Sequence, residues 1–338
     1  MYQKLRDVTL KNSEAVELGV VVGPDESEAG EKLRRLLGHK GQIWRWQIEQ
    51  SLRKRHPGIE NRFYVLSKNG LPFANIMCCE KSGVGIFGHV YTAPEERRKG
   101  AAEVIHTVQL EDFKQRGGRA LYLGTVFDTP PWHLYARHGF QAVEAGSDFM
   151  YWFAQSQQQF ETETFAPSSV RYEPLGFQHW PVLPALTMMN HPARIRIAGM
   201  DVINPSSSEG GALDYLAAMD PDYQSEKKAK GARAWVAVSE RSGMPVALAA
   251  VRPDAHFWNQ AELLDLFAAP GFERELPALF EKLKIARDHS VFCYADYLWP
   301  AKQQALKACG FSRAALLKQH LRSPAAAHDV ELWTLDQE

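Results

Sequence analysis

Apolar and polar positions change period repeatedly along this chain. Glu17 to Val22 is a short apolar run that ends at Gly23-Pro24, the length and the breaker of a strand. Asp25 to Leu37 shifts to a helical period, with Leu33, Leu36 and Leu37 on one face and Asp25 or Ser27 near the cap. Gln42 to Arg55 is a second helical stretch, stopped by Pro57-Gly58. Asn61 to Ser67 and Leu71 to Cys79 return to strand-length apolar runs, joined by Lys68-Asn69-Gly70. Asn-Gly between such runs is a strong hairpin signal. Gly83 to Thr92 is a third strand, and Ala101 to Arg116 a helix ended by Gly117-Gly118. Ala120 to Val126 reads as a buried strand, Trp132 to His138 as a short helix, and Gln141 to Val143 and Asp148 to Phe153 as closing strands. Met1 to Asn12 is either an extension or a first strand. Helices, an antiparallel meander and then β-α-β-α-β predict an α/β domain whose sheet mixes antiparallel and parallel pairs.

The element order then returns. Gln155 to Ser169 is rich in Gln, Ser, Thr and Glu, poor in aliphatics, and reads as a linker. Beyond it come a strand at Val170 to Tyr172, a helix at Trp180 to Met189, and a hairpin of Ala234 to Ser239 with Val246 to Val251 around Arg241-Ser242-Gly243. A strand at Glu262 to Phe267, a helix at Glu273 to His289, a strand at Val291 to Ala295 and a helix at Pro300 to Ala308 follow. Strands near Ala314 to His320 and Val330 to Leu335 complete the series. The halves match as elements and not as a residue repeat, so a duplicated fold is expected. The expected domains are residues 1–154 and 170–338, with 155–169 between them.

Length agrees with this division, since 338 residues is about twice an ordinary domain. Hydrophobic residues make up 45%, enough for packed cores. With 39 basic against 40 acidic residues, no basic excess suggests a nucleic-acid partner. Met1 to Leu18 mixes charges and lacks an apolar core, so no signal peptide is expected, and no apolar run approaches membrane-spanning length. The four cysteines show no C-x-x-C spacing and fit a reducing, cytoplasmic setting without a thiolate metal site. Asp128, His133 and His138 do not put two ligands on one helix face, so no metal is expected.

The stretch that carries chemistry is Arg97-Arg98-Lys99-Gly100-Ala101-Ala102, between the strand Gly83 to Thr92 and a helix start. The first helical N–H groups lack partners inside the helix, and the peptide dipoles favour an anion there. Gly100 lets backbone approach a ligand without a Cβ in the way, and small Ala102 keeps that approach open. Basic residues at a helix start oppose the dipole, which a bound anion would compensate. Further on, Tyr135 stands four residues before Gly139-Phe140.

These two motifs, with Val90-Tyr91-Thr92-Ala93-Pro94 ahead of the first, resemble the GNAT superfamily of acyl-CoA-dependent N-acyltransferases in tandem form. The family pattern of Arg or Gln, two residues, Gly, one residue, then Gly or Ala falls on Arg97, Gly100 and Ala102. The resemblance covers Val16 to Phe153 in motif and the second half in topology. It implies acetyl-CoA as co-substrate, between splayed fourth and fifth strands. Its pyrophosphate would lie on the turn Arg97, Arg98, Lys99, Gly100, Ala101 and Ala102, and its carbonyl on amides of Val90, Tyr91 and Thr92. An amine would attack the thioester directly, with preorganised amides stabilising the oxyanion and Tyr135 returning a proton to the thiolate.

For a general base, the family's carboxylate is missing from Gly83 to Thr92, which leaves His89 first and Asp128 second, with a water relay as the alternative. The resemblance puts the acceptor site among residues 38 to 58, with Trp46 and Arg53 as candidates, although Trp44, Trp46 and Phe63 also suit core packing. The expected acceptor is a small-molecule amine or a peptide, and the expected state a monomer or homodimer. The second half has Ala268-Ala269-Pro270-Gly271-Phe272-Glu273 where the basic turn should be, and Leu306 where the tyrosine should be, so it is expected to be degenerate. A non-catalytic acyl-CoA sensor and a transferase of a longer acyl group are the alternative functions.

Overall fold

The computed structural model describes residues 1–223, 231–254, 256, 260–286, 290–323 and 325–335. The chain divides into two compact units, residues 1–142 with 147–156, and residues 143–146 with 157–338. Among the described residues no helix is long and apolar enough to cross a membrane.

The first unit opens with strands β1 (Tyr2–Thr9) and β2 (Ala15–Gly23), so the N-terminal segment is a strand and not an extension. Helices α1 (Glu28–Leu36) and α2 (Gln42–Arg53) follow, then the meander β3 (Glu60–Lys68), β4 (Leu71–Lys81) and β5 (Val84–Thr92). Next come α3 (Ala101–Gln115), β6 (Ala120–Gly124), α4 (Pro130–Arg137), β7 (Gln141–Ala142) and β8 (Phe149–Phe153). The sheet order is β1-β2-β3-β4-β5-β6-β8-β7. Only β5 and β6 pair in parallel.

Local chemistry explains most boundaries. Asn69 and Gly70 both take positive φ, 49° and 73°, which the tight hairpin between β3 and β4 requires. The α1 cap is Ser27, whose Oγ accepts from Ala29 N at 3.3 Å. Asp25 instead accepts from Ser27 N and pairs with the N-terminal amine at 3.1 Å. Helix α2 stops at Arg53, two residues short of the expected end, because Lys54 is already extended ahead of Pro57. Helix α4 begins earlier than expected, at Pro130, since proline is preorganised for a first turn.

One polar network fastens α3 to the sheet. Arg116 pairs with buried Glu80 of β4 and, at 2.9 Å, with Asp112 of α3. Asp112 also accepts from the Tyr64 hydroxyl and from Arg62 Nε at 3.2 Å, both on β3. Burial alone would raise the Asp112 carboxyl, but the hydrogen bonds from Tyr64 and Arg116 outweigh it and hold the pKa below the ordinary range.

The second unit begins with a helix, α5 (Gln157–Thr164), inside the stretch that reads as a linker, with Phe160 buried. Strand β9 (Val170–Pro174), helix α6 (Leu183–Thr187), a small hairpin of β10 (Ile195–Ile197) with β11 (Val202–Ile203) and helix α7 (Glu209–Met219) follow. Then come β12 (Arg233–Ser239), β13 (Pro245–Pro253), β14 (Ala261–Ala268), α8 (Leu276–Leu283), β15 (Ser290–Asp296), α9 (Pro300–Ala308), β16 (Phe311–Arg322) and β17 (Ala327–Leu335). Helix α6 is half its expected length, starting with Pro184 in its first turn. Helix α8 ends at Lys284, which turns left-handed at φ 50°. Residues 287–289 of the helix expected there lie outside the described residues.

The second sheet runs β9-β12-β13-β14-β15-β17-β16. It has one parallel pair, β14 with β15, at the position of β5 with β6. The swap of the last two strands also recurs, β17 lying beside β15 as β8 lies beside β6. The strand order of β2 to β8 is therefore repeated ladder for ladder.

Candidate functional site

The site grows from the end of β5. Strands β5 and β6 pair only through Val84, Gly85 and Ile86, after which β5 continues to Thr92 alone on that side. A bulge bends it there. The register with β4 passes from Met77↔Gly88 to Asn75↔Tyr91, so His89 and Val90 together face Ile76. His89 takes φ 50°, and Asn75 Nδ2 donates to its carbonyl at 3.0 Å. An extra residue in one strand breaks the ladder and leaves amides free for other partners.

Beyond β5 the chain makes one tight turn at Pro94–Glu96, then passes through Arg98 (φ 67°) and Gly100 (φ 84°) into α3. No side chain caps the α3 N-terminus, so its first N–H groups face outward unsatisfied by a cap. A Cβ on Gly100 would stand 2.9 Å from Cγ of the exposed Lys11 side chain, which would have to shift, and the positive φ itself favours glycine. Lys11 N donates to Lys99 O at 3.0 Å, and Arg97 Nε donates to Thr92 O at 3.0 Å, which fixes the turn at both ends.

A cleft of about 460 Å³ opens here. Val90, Tyr91 and Thr92 of β5 contribute to it, as do Arg97, Arg98, Gly100, Ala101 and Ala102 of the turn and α3. Tyr135 enters from α4, beside Leu134 and Arg137. Nine of the residues singled out in the sequence are thus brought to one cavity. Tyr135 is buried, with its ring edge-on to Phe87 at 5.0 Å and to His106 at 5.5 Å. Burial pushes its phenol pKa up, so it keeps its proton at neutral pH and cannot serve there as a phenolate base.

Five candidates stand elsewhere. Lys99 turns to Glu96, with Nζ at 2.9 Å from the carboxylate. Asp128 is exposed at φ 58° and accepts from His133 Nε2 at 2.9 Å, so it organises the turn before α4 and does not line the cleft. Arg53 is exposed and pairs with Glu49 one helical turn away, and Trp46 is half-buried on α2. His89 is buried behind the bulge, its Nε2 bonded to Gln47 Oε1 at 2.6 Å and its ring edge-on to Trp44 at 5.6 Å. That bond puts the hydrogen on Nε2 and leaves the lone pair on Nδ1.

Burial first, then the charges of Lys40 and His39, lower the His89 pKa to about 3. His106 is likewise brought down to about 3, by burial and by His138. Both bind a proton less readily folded than unfolded, where histidine titrates near 6.5. Stability of the first unit therefore falls as pH drops from 6.5 towards 3. The expected loss is about 2 kcal/mol per histidine between pH 6.5 and pH 5. Urea midpoints measured across that range check it, and His89→Gln should flatten the slope. A midpoint independent of pH in both proteins would contradict the burial argument.

Sequence reading missed Lys11 and Gln47. Neither carries a local signal, since Lys11 lies almost ninety residues before Gly100 and Gln47 meets His89 only because α2 packs over the bulge.

In the second unit the corresponding place is filled. Asp265 is the first residue of β14 past its last pair with β15, and its carboxylate accepts from Ala198 N and Gly199 N, each at 2.7 Å. Asp296, at the end of β15, accepts from Arg194 N and Ile195 N at 2.8 and 2.7 Å. Lys302 Nζ of α9 reaches Ile195 O at 3.4 Å. The chain's own segment 194–199 is thus tied to the equivalents of β5, β6 and α4. The register of β14 with β13 runs through without a bulge. In the turn, Gly271 N already donates to Glu273 at 2.8 Å.

The first unit has a GNAT-like α/β fold. Its mixed sheet, the parting of β5 from β6 after Ile86 and the glycine turn into α3 are the features that the resemblance implies, and the bulge of β5 adds to them. The second unit repeats the strand order. No family model matches the chain, and no curated protein matches it in sequence. Among solved structures it is similar to the ribosomal-protein-S18-alanine N-acetyltransferase of Escherichia coli at 14% identity, over 50% of this chain and 94% of that one, with a TM-score of 0.35. It is similar to the ribosomal-protein-S5-alanine acetyltransferase of Vibrio fischeri at 14% identity, over 52% and 96%, with a TM-score of 0.38. A spermidine/spermine N-acetyltransferase of Vibrio cholerae gives 15%, 50%, 93% and 0.34. Likenesses this distant carry no argument about any residue here, and the fold rests on the topology.

Proposed function

We propose that the first unit is an acyl-CoA-dependent N-acyltransferase that moves an acetyl group from acetyl-CoA to a primary amine by direct attack. The observation that carries this reading is the cleft in which the left-handed Gly100 turn, the uncapped start of α3 and the free end of β5 meet Tyr135. Outward N–H groups beside exposed Arg97 and Arg98 suit a diphosphate. The amine nitrogen bonds to the thioester carbon and gives up one proton to water, the C–S bond breaks, the departing sulfur takes a proton from the Tyr135 phenol, and water returns a proton to the phenolate. Burial makes Tyr135 a weaker acid than a free phenol, so the transfer depends on the charge that develops on the departing sulfur. The second unit, with its own backbone at the equivalent position, neither binds the co-substrate nor catalyses.

The test is release of free thiol from acetyl-CoA with a panel of amines. Tyr135→Phe should lower kcat by about a hundredfold or more, the usual weight of a positioned acid, while the dissociation constant for acetyl-CoA stays within a few-fold. Unaltered turnover removes Tyr135 as the acid. One observation favours a second reading, an acyl-CoA sensor. His89 is engaged with Gln47, and Asp128 with His133, so neither candidate base is free at the cleft. Tight acetyl-CoA binding without thiol release from any amine would select that reading, whereas turnover with a free amine base points to a water relay.

A further inference from the structure

The turn between β1 and β2 is built into the wall of the cleft. Leu10 is buried, and Ser13 turns left-handed at φ 66° to bring the chain back. Two ties hold this turn against the one that leads into α3. Lys11 N donates to Lys99 O at 3.0 Å, and Lys68 bridges Glu14 of the first turn, at 2.7 Å, to Glu96 of the second, at 2.5 Å. The Lys11 stem lies against Gly100, and its ammonium stands 2.8 Å from the carboxylate of Glu103. Lys11 and Glu103 both line the cleft.

Glu103 is in the first turn of α3. The helix dipole favours a carboxylate there, and that carboxylate competes with a diphosphate for the same positive field. The hydrogen bond from Lys11 holds Glu103 below the ordinary carboxylate range, so it keeps its charge at neutral pH. Left alone, that charge would repel a phosphate group. The Lys11 ammonium has three donors, and the bond to Glu103 uses one. Two remain for phosphate oxygens, and a flexible side chain that is 69% exposed can turn them into the cleft.

We propose that Lys11 is a co-substrate-binding residue whose ammonium bridges Glu103 to the diphosphate of acetyl-CoA, so that the β1–β2 turn completes the site. The inference rests on the reading of the cleft as the acetyl-CoA site, whether or not that site turns over. Arg97 and Arg98 belong to the turn into α3, whereas this cation comes from the first hairpin and couples affinity to the docking of β1.

Calorimetry of the full chain with acetyl-CoA, and with S-acetylpantetheine, which has no diphosphate, tests the proposal. Lys11→Met keeps the apolar stem and the main-chain bond to Lys99 and removes the charge. Its dissociation constant for acetyl-CoA should rise about ten- to a hundredfold, the range of one charge-assisted hydrogen bond, and that for S-acetylpantetheine by less than about threefold. Lys11→Arg should keep most of the affinity. Glu103→Gln added to Lys11→Met should recover part of the loss, because no unpaired carboxylate then faces the phosphates, a coupling that a purely structural lysine would not show. Circular dichroism reports that each variant is folded. An unchanged acetyl-CoA affinity in Lys11→Met, an equal loss for both thioesters, or no recovery with Glu103→Gln overturns the inference and leaves the reading of the cleft intact. Wild type that binds no acetyl-CoA removes both.

Discussion

Replacing Gly100 by valine should weaken acetyl-CoA binding by about a hundredfold or more. Gly100 holds φ 84° at the start of α3, a region that costs a β-branched residue on the order of 1–3 kcal/mol. The new side chain would also meet Lys11, whose Cγ stands 2.9 Å from the Cβ position. The exposed Lys11 side chain can move aside, but the turn relieves its φ only by rotating its peptides, and the N–H groups then no longer converge. Hydrogen bonds to a charged ligand are worth about 1.5–3 kcal/mol each. Losing the equivalent of one or two is about a hundredfold in affinity. Calorimetry of acetyl-CoA binding checks it, with circular dichroism to show that the sheet is retained. Since Arg97 and Arg98 are exposed, wild-type affinity should also fall with added salt. An unchanged dissociation constant in Gly100→Val would remove the turn from the site, and with it the proposed enzyme.

Arg116→Met should destabilise the first unit by about 3–5 kcal/mol, the usual cost of removing one partner from a buried ion pair. Among the described residues Arg116 is the cation that pairs with Glu80, a residue 6% exposed on β4. It also holds Asp112, so one substitution loosens two carboxylates between α3 and the sheet. Without Arg116 the buried Glu80 is relieved by taking up a proton. Its folded pKa then rises further above the unfolded value, so the variant loses less stability at pH 5 than at pH 8. Because the chain has two compact units, scanning calorimetry is the suitable measurement, and one of two transitions should move. A shift of roughly 2–4 °C per kcal/mol is expected for a unit of this size. An unmoved transition would mean that apolar packing alone holds α3 in place.

The most legible features were those whose cause is local. The Asn69-Gly70 hairpin follows from two residues that tolerate positive φ, and the anion-ready turn from Gly100 with three basic neighbours ahead of it. Helix α7 was not legible, because Gly210 and Gly211 stand in its first turn and weaken the helical signal. Burial of Ala212, Leu213 and Leu216 overrides that local preference. Helix α8 illustrates the reverse error. Its apolar period runs past Lys284, yet the backbone turns left-handed there.

The candidate base shows where local reading stops. His89 was chosen as the strand residue that titrates near neutral pH, but its environment comes from elsewhere. Gln47 and Trp44 arrive from α2, and the charges of His39 and Lys40 from the connector, and together with burial they hold the ring neutral. That the second half lacks the basic turn and the tyrosine was legible in the sequence, while what stands at the corresponding place was not. Asp265 and Asp296 look like ordinary strand acids, and only folding shows them gripping the amides of segment 194–199.

What the sequence by itself determined is the order of most elements, the duplicated plan and the glycine turn into α3, because period, glycine and proline act over a few residues. Only the tertiary structure decided which candidates share a cavity, what surrounds the candidate base and which copy closes on itself. Those outcomes depend on contacts between segments tens of residues apart, where desolvation and charge pairing set the energy and no local pattern records them.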